Sequence, residues 1–217
     1  INDIFNDPNF NNANWGVVIQ SLETGEFIYK QNEEKLFMPA SNLKLFTTAA
    51  GLILLSPEYQ FKTHIYANGE IDGTALYGDL IIKGTGDPAI SGRFYNGDIF
   101  KVFNDWADSL ISFGIDEIYG NIIGDDNAFD NVLLGSGWAW DYESYWYAAP
   151  ISALTYNDNC VDISISPSDI GEPANISFTP YTRYVSIVNN ILTGPEDSVE
   201  DVSFVRERGT NVIILSG

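Results

Sequence analysis

The chain has 217 residues, with 10 Lys and Arg against 30 Asp and Glu, a formal net charge of −20. So few cations among so many acids disfavour a nucleic-acid groove, and disfavour an anionic membrane surface for the same reason. A hydrophobic content of 45% and an aromatic content of 14% separate the chain from a disordered acidic tail; its length suits one large domain or two small ones. The single cysteine, Cys160, has no internal disulfide partner and reads as a small buried hydrophobe. No run of about 18 apolar residues marks a transmembrane helix. The start, Ile1 to Phe10, lacks the basic and apolar regions of a signal peptide, which leaves open a cytosolic protein or one whose signal has been removed.

In chain order, residues 1–12 are rich in Asn and Asp and have room for a short helix. Trp15 to Gln20 reads as a buried strand, Thr24-Gly25 as a turn and Glu26 to Lys30 as the return strand. Residues 41–55, the most apolar stretch, predict a helix that begins at Ser41 and ends at Ser56-Pro57. Tyr59 to Tyr66 alternates like a strand, Asn68-Gly69 and Asp72-Gly73 read as turns, and Leu76 to Lys83 as another strand. Residues 98–113 place Ile99, Val102, Phe103, Trp106, Leu110 and Phe113 at helical spacing, closed by Gly114. Ile115 to Gly124 returns to strand, and Tyr77 to Ile81 resembles Tyr119 to Ile123, two similar strands around a helix. Residues 135–150 form a loop dense in Trp and Tyr. From Val161 onward short alternating strands are split by prolines, and Asn211 to Gly217 looks like a strand that stops at its turn, as in a truncated chain.

The sharpest chemical candidate is Ser41-Asn42-Leu43-Lys44. On a helix, residues i and i+3 share a face, so the Lys44 amine can reach the Ser41 hydroxyl. Serine is a weak nucleophile until a base takes its proton, and an amine serves as that base only where its charged form is disfavoured. Burial among Leu43, Leu45 and Phe46 is the expected cause, and free N–H groups at the helix start are candidate oxyanion donors. Ser-x-x-Lys alone is a weak pattern; the alternative is a capping Ser with a surface Lys. The rivals are poorer. His64 is the only histidine and sits in an alternating run, so it reads as a strand-surface residue. Asp125-Asp126-Asn127 and Asp130 lack the glycine and glutamate of an EF-hand loop and read as a solvated turn, as does Asn157-Asp158-Asn159. Asp141 and Glu143 would make a glycosidase pair only by the chance that 30 acids provide.

At Met38-Pro-Ala-Ser41-Asn-Leu-Lys44, followed by Leu45 to Ala50, the sequence resembles the class C low-molecular-mass penicillin-binding proteins, periplasmic or extracellular D-Ala-D-Ala carboxypeptidase/endopeptidases. Gly78-Asp-Leu-Ile-Ile-Lys-Gly-Thr-Gly-Asp-Pro88 and Gly137-Trp-Ala-Trp-Asp141 leading to Tyr147-Ala-Ala-Pro-Ile-Ser-Ala-Leu154 look like that family's insertion, in matching order and spacing. The resemblance implies an α+β fold. Residues 1–61 would be the N-terminal part of a β-lactamase/transpeptidase-like domain, an antiparallel sheet with the serine-bearing helix. Residues 62–217 would be a mainly β insertion with one amphipathic helix and an inner subdomain at about 85–160. It implies Ser41 as nucleophile and Lys44 as its base partner, with Trp138, Asp141 and Tyr147 on the substrate side. Peptidoglycan stem peptides and β-lactams are the implied partners, with no cofactor, metal or nucleic acid.

Two departures stand out. The family's later Ser-x-Asn and Lys-Thr-Gly motifs do not appear; Lys83-Gly84-Thr85-Gly86 has the wrong order, and Tyr66-Ala67-Asn68 comes too soon after Ser41. The chain therefore reads as an N-terminal portion, with the remainder of the catalytic domain absent. Where the family often has two acids after the second Trp, this chain has Asp141-Tyr142, which puts the diaminopimelate preference in doubt. The competing expectations are a β-lactamase-like serine hydrolase and a non-catalytic cell-wall-binding module built from the insertion.

Overall fold

Thr24-Gly25 closes the expected hairpin: β1 (Val17–Gln20) pairs antiparallel with β2 (Phe27–Gln31), with Gly25 at φ +74. Before it comes a short helix, α1 (Asn2–Phe5). The rings of Phe5 and Phe10 lie 5.2 and 5.6 Å from that of Trp15, and Phe5 stacks on Tyr29. The computed structural model describes residues 1–5 and 7–217, which divide into two units, Ile1–Tyr59 and Gln60–Gly217.

The first unit ends in α2 (Leu43–Leu55). Leu, Lys, Ala and Phe carry it through, Gly51 is its one weak point, and Ser56 leaves helical geometry at φ +74 ahead of Pro57. None of its residues is buried among the described residues: Leu45, Phe46, Ile53 and Leu54 are 71–81% exposed. A helix with this much apolar surface belongs in an interior.

The second unit is organised on one strand, β4 (Ala75–Lys83). On one side β3 (His64–Asp72) pairs with it antiparallel through a two-residue turn at Gly73-Thr74. On the other side β5 (Glu117–Tyr119) and β6 (Ile122–Asp125) pair with it in parallel, reached through α3 (Lys101–Ser112). A parallel pair needs such a crossover. The two similar segments lie side by side in register, Tyr77 opposite Tyr119 and Ile81 opposite Ile123, with the two tyrosine rings stacked at 5.0 Å. Between β5 and β6 the strand breaks at Gly120-Asn121, where the Asp79 carboxylate accepts from the backbone and side-chain amides of Asn121 at 2.9 Å.

Asn68-Gly69, expected to turn, instead lies inside β3. Gly69 serves close strand approach: a Cβ there would run into the Tyr77 carbonyl. The strand also starts later than the alternation from Tyr59 indicated, at His64.

Alternation on β4 turns Leu76 and Leu80 inward. With Ile115 they form one core, closed by Ile65, Ile118 and Leu110 of α3. Phe103 and Trp106 are half-buried and pack edge to face, and Phe103 also meets Tyr156. Phe113, counted on that helix's apolar face, is 85% exposed because the helix ends one residue before it. The remaining strands build a second core: β7 (Asp162–Ser166) pairs with β8 (Asn175–Thr179), while β11 (Val212–Ser216) lies between β10 (Ser203–Arg206) and β9 (Ser186–Asn190). Ala174, Ile191 and Leu215 are buried there. The whole is an α+β fold. No helix among the described residues is long and apolar enough to cross a membrane.

Leu76 is 0% exposed, so Leu76→Ala is expected to cost about 2–5 kcal/mol of unfolding free energy in urea titration. Phe113→Ala is expected to stay within about 0.5 kcal/mol, as an exposed substitution does.

Candidate active site

Pro39-Ala40 sets the geometry of the Ser-x-x-Lys segment. Ala40 is held at φ +45, a left-handed conformation that alanine rarely adopts. The backbone then tightens into a 3-10 turn, Ala40–Asn42, that runs straight into α2. The Asn42 N–H donates to the Pro39 carbonyl, and the Leu43 N–H to the carbonyls of Ala40 and Ser41.

Ser41 therefore sits in the tight turn before α2 and does not itself open the α-helix. Neither Pro39 nor Asn42 makes a side-chain cap. The Ser41 hydroxyl instead accepts from the Lys44 Nζ at 3.0 Å, and the Lys44 carbonyl accepts from the Thr48 hydroxyl at 2.7 Å. The expected cover over this pair is not supplied by its sequence neighbours: Leu43, Leu45 and Phe46 are exposed, as are Ser41 and Lys44.

The other predicted residues, Trp138, Asp141 and Tyr147, belong to the second unit, on a loop of two short 3-10 turns, Trp140–Tyr142 and Trp146–Ala148. Asp141 is exposed and Trp138 is exposed beside Gly135. Tyr147 stacks on Tyr145 at 5.3 Å and meets Tyr142 edge to face; partial desolvation, then the neighbouring tyrosines and Asp141, push its phenol above the ordinary range. The loop is fixed to β10. The Arg206 N–H donates to the Ser144 hydroxyl at 3.0 Å, Arg208 pairs with Glu143 at 3.0 Å, and Phe204 packs on Tyr145. Sequence reading missed these anchors, because partners about 60 residues apart carry no local signal.

The rival centres dissolve into structure. Glu143 is engaged by Arg208, which leaves no free glycosidase pair with Asp141. His64 is an exposed strand residue stacked on Tyr66. Asp125 accepts from the backbone and side-chain N–H groups of Asn127; the backbone bond first holds its carboxyl below the usual range, and Lys83 adds to this. Among the described residues no group of three or more His, Cys, Asp or Glu is arranged to hold a metal ion. Cys160 is half-buried rather than buried. Desolvation, then Asp158 and Asp162, push its thiol up, the opposite of an activated nucleophile.

The chain belongs to the D-Ala-D-Ala carboxypeptidase 3 (S13) family, whose model matches residues 1–217. It is 31% identical over 223 residues to the D-alanyl-D-alanine carboxypeptidase of Actinomadura sp. (strain R39), covering 100% of this chain and 40% of that protein. It is 27% identical over 162 residues to the D-alanyl-D-alanine carboxypeptidase DacB of Haemophilus influenzae, covering 73% and 32%. The fold matches the crystal structure of penicillin binding protein 4 (dacB) from H. influenzae with a TM-score of 0.70 at 23% identity, over 93% of this chain and 43% of that one. A second structure of that protein, complexed with a novel β-lactam, matches with a TM-score of 0.61 at 22% identity, over 93% and 40%. The resemblance read from Ser41-Asn42-Leu43-Lys44 and the tryptophan loop is met, as is the α+β fold.

Ala40→Val places a β-branched residue at φ +45. It is expected to lower stability by about 1–3 kcal/mol, read as a fall in the thermal midpoint. Cys160 is expected to alkylate slowly with iodoacetamide at pH 7 and to accelerate only as the pH approaches its raised pKa. A fast reaction at neutral pH contradicts the account of a partly desolvated thiol between two carboxylates.

Proposed function

We propose that the protein containing this chain is a serine-type D-alanyl-D-alanine carboxypeptidase or carboxypeptidase/endopeptidase, acting on peptidoglycan stem peptides outside the cytoplasm. One observation carries the reading: in a chain of the S13 family, the Lys44 amine lies 3.0 Å from the Ser41 hydroxyl on a strained turn ahead of an apolar helix. The name of the Actinomadura relative supports the reaction, and the β-lactam complex of the structural neighbour supports acylation by that class of inhibitor.

In this mechanism neutral Lys44 takes the Ser41 proton as Oγ attacks the carbonyl carbon between the two D-alanines. The developing oxyanion needs N–H donors other than those of Asn42 and Leu43, which are bonded within the turn. The C–N bond then breaks, the proton passes to the departing amine of D-alanine, and the ester on Ser41 is hydrolysed by water. A β-lactam acylates the same oxygen, but its amine stays tethered.

We assign residues 1–61 to the first part of a transpeptidase-like domain and residues 62–217 to its insertion, with an inner subdomain at about 85–160. The uncovered apolar surface of α2 supports this, because it needs further polypeptide to shield it and to desolvate Lys44. The chain spans 40% and 32% of the lengths of the two relatives named above. Trp138, Asp141 and Tyr147 are assigned to the side chain of the stem peptide.

In the full-length protein, Ser41→Ala and Lys44→Ala are each expected to abolish labelling by fluorescent penicillin. The Ser41 hydroxyl is exposed and accepts only from Lys44 among the described residues, so the fold survives its loss. Residues 1–217 alone are expected to label poorly; rapid stoichiometric acylation of that fragment would overturn the assignment of missing catalytic parts. A short-lived adduct points instead to a β-lactamase, and no adduct to a binding module.

A further inference from the structure

The second unit holds a groove of about 480 Å³ that the reaction above does not use. That volume falls in the range of small-ligand sites. Asn157 and Asp158 line it, from a turn in which three successive residues, Asn157, Asp158 and Asn159, are left-handed at φ 48, 57 and 55. Such residues persist only where the surroundings over-determine them. Asn157 is buried; its side-chain amide donates to Asp162 at 3.0 Å and its backbone N–H to the Ile90 carbonyl. Asn159 is tied to the Pro150 carbonyl at 2.8 Å. The turn thereby presents Asp158 to Arg93, with which it forms an ion pair. The same guanidinium lies 5.4 Å from the centre of the Trp146 ring, which is itself 65% exposed.

The groove's chemistry narrows its ligand. Its charged side chains are one guanidinium and two carboxylates, on a chain of net charge −20, which disfavours an anion. A cationic ligand seeks an unpaired carboxylate, and Asp158 is already paired with Arg93 while Asp162 accepts from the Asn157 amide. Among the described residues Ile99 and Trp146 are the only large apolar walls, too few for a hydrophobic ligand. What fits is a neutral ring with an apolar face for the indole and hydroxyl or amide groups for the fixed carboxylate, amide and guanidinium. We propose that this groove binds a pyranose unit of an uncharged glycan. Trp146 stands on the same loop as Tyr147, their rings 6.1 Å apart, so the groove adjoins a residue assigned to the stem peptide. A polymer that places its peptide on that loop has a sugar within reach of Trp146. This last step, and the choice of an N-acetylated sugar as probe, rest on the peptidoglycan reading; the neutral-sugar chemistry does not.

The test is titration of the full-length protein with the N-acetylglucosamine tetramer, followed by tryptophan fluorescence and saturation-transfer NMR. Binding is expected, weakened at least tenfold by Trp146→Ala and by Arg93→Ala with the circular dichroism spectrum unchanged. Asp158→Asn, which keeps a residue tolerant of left-handed geometry and removes the ion pair, is expected to act in the same direction if either larger change unfolds the protein. No binding at millimolar tetramer, binding indifferent to all three variants, or binding of trilysine in place of the sugar overturns the proposal. Penicillin labelling of the same sample separates the two readings. A Ser41 adduct without sugar binding removes the groove alone; sugar binding without an adduct removes the peptidase alone.

Discussion

The contact between Lys44 and Ser41 depends on a backbone that tightens one residue too early for an ordinary helix. Had α2 begun at Ser41 with a standard cap, the hydroxyl would bond a backbone N–H of the first turn and would not be available to an amine. The left-handed Ala40 and the 3-10 turn place Ser41 before the helix instead, while Lys44 stands in its first turn. A side-chain contact of 3.0 Å between residues three apart then follows from local geometry. The strain is confined to one small residue, whose methyl group suffers least at positive φ.

The second unit solves a different problem, that of holding a long loop still. Its organising strand, β4, is paired on both sides and buries Leu76 and Leu80 on one face. Gly84, at its end, lies so close to the Ala153 carbonyl that a Cβ there would collide with it, and the Gly86 N–H donates to that same oxygen at 2.7 Å. The tryptophan loop leads into this junction at one end and is clamped to β10 through Glu143 and Ser144 in its middle. Exposed aromatic side chains are thus carried on a loop whose backbone is restrained at two separated points.

The sequence made legible whatever depends on local pattern. Apolar spacing from Val102 to Leu110 marks α3, and the likeness of Tyr77–Ile81 to Tyr119–Ile123 marks two strands that prove to be partners in register. Ser41 and Lys44 were visible because their contact spans three residues. What escaped depends on distant atoms. Asn68-Gly69 has the composition of a turn, but the Tyr77 backbone across the sheet needs a residue without a Cβ at Gly69. Asn157 to Asn159 reads as a solvated turn, yet Asn157 is buried by bonds to Ile90 and Asp162. The desolvation expected for Lys44 was inferred from apolar neighbours in sequence; on a helix those neighbours point in several directions, and shielding must come from other elements.

Charge sets a further requirement on the proposed reaction. A carboxypeptidase must hold the terminal carboxylate of its substrate beside the nucleophile, and the cheapest recognition of a carboxylate is a paired hydrogen bond from a fixed cation. The first unit has Lys30, Lys35 and Lys44 as its only Lys and Arg residues, against seven acids. Lys30 lies near Glu33 and over the Phe27 ring, and Lys44 is committed to Ser41. All four arginines lie beyond Tyr59; of these Arg93, Arg206 and Arg208 are already bonded to Asp158, Glu143 or its backbone. If Lys44 also met the carboxylate, it would be held as the ammonium and could not accept the Ser41 proton. The base and the carboxylate receptor must therefore be different groups.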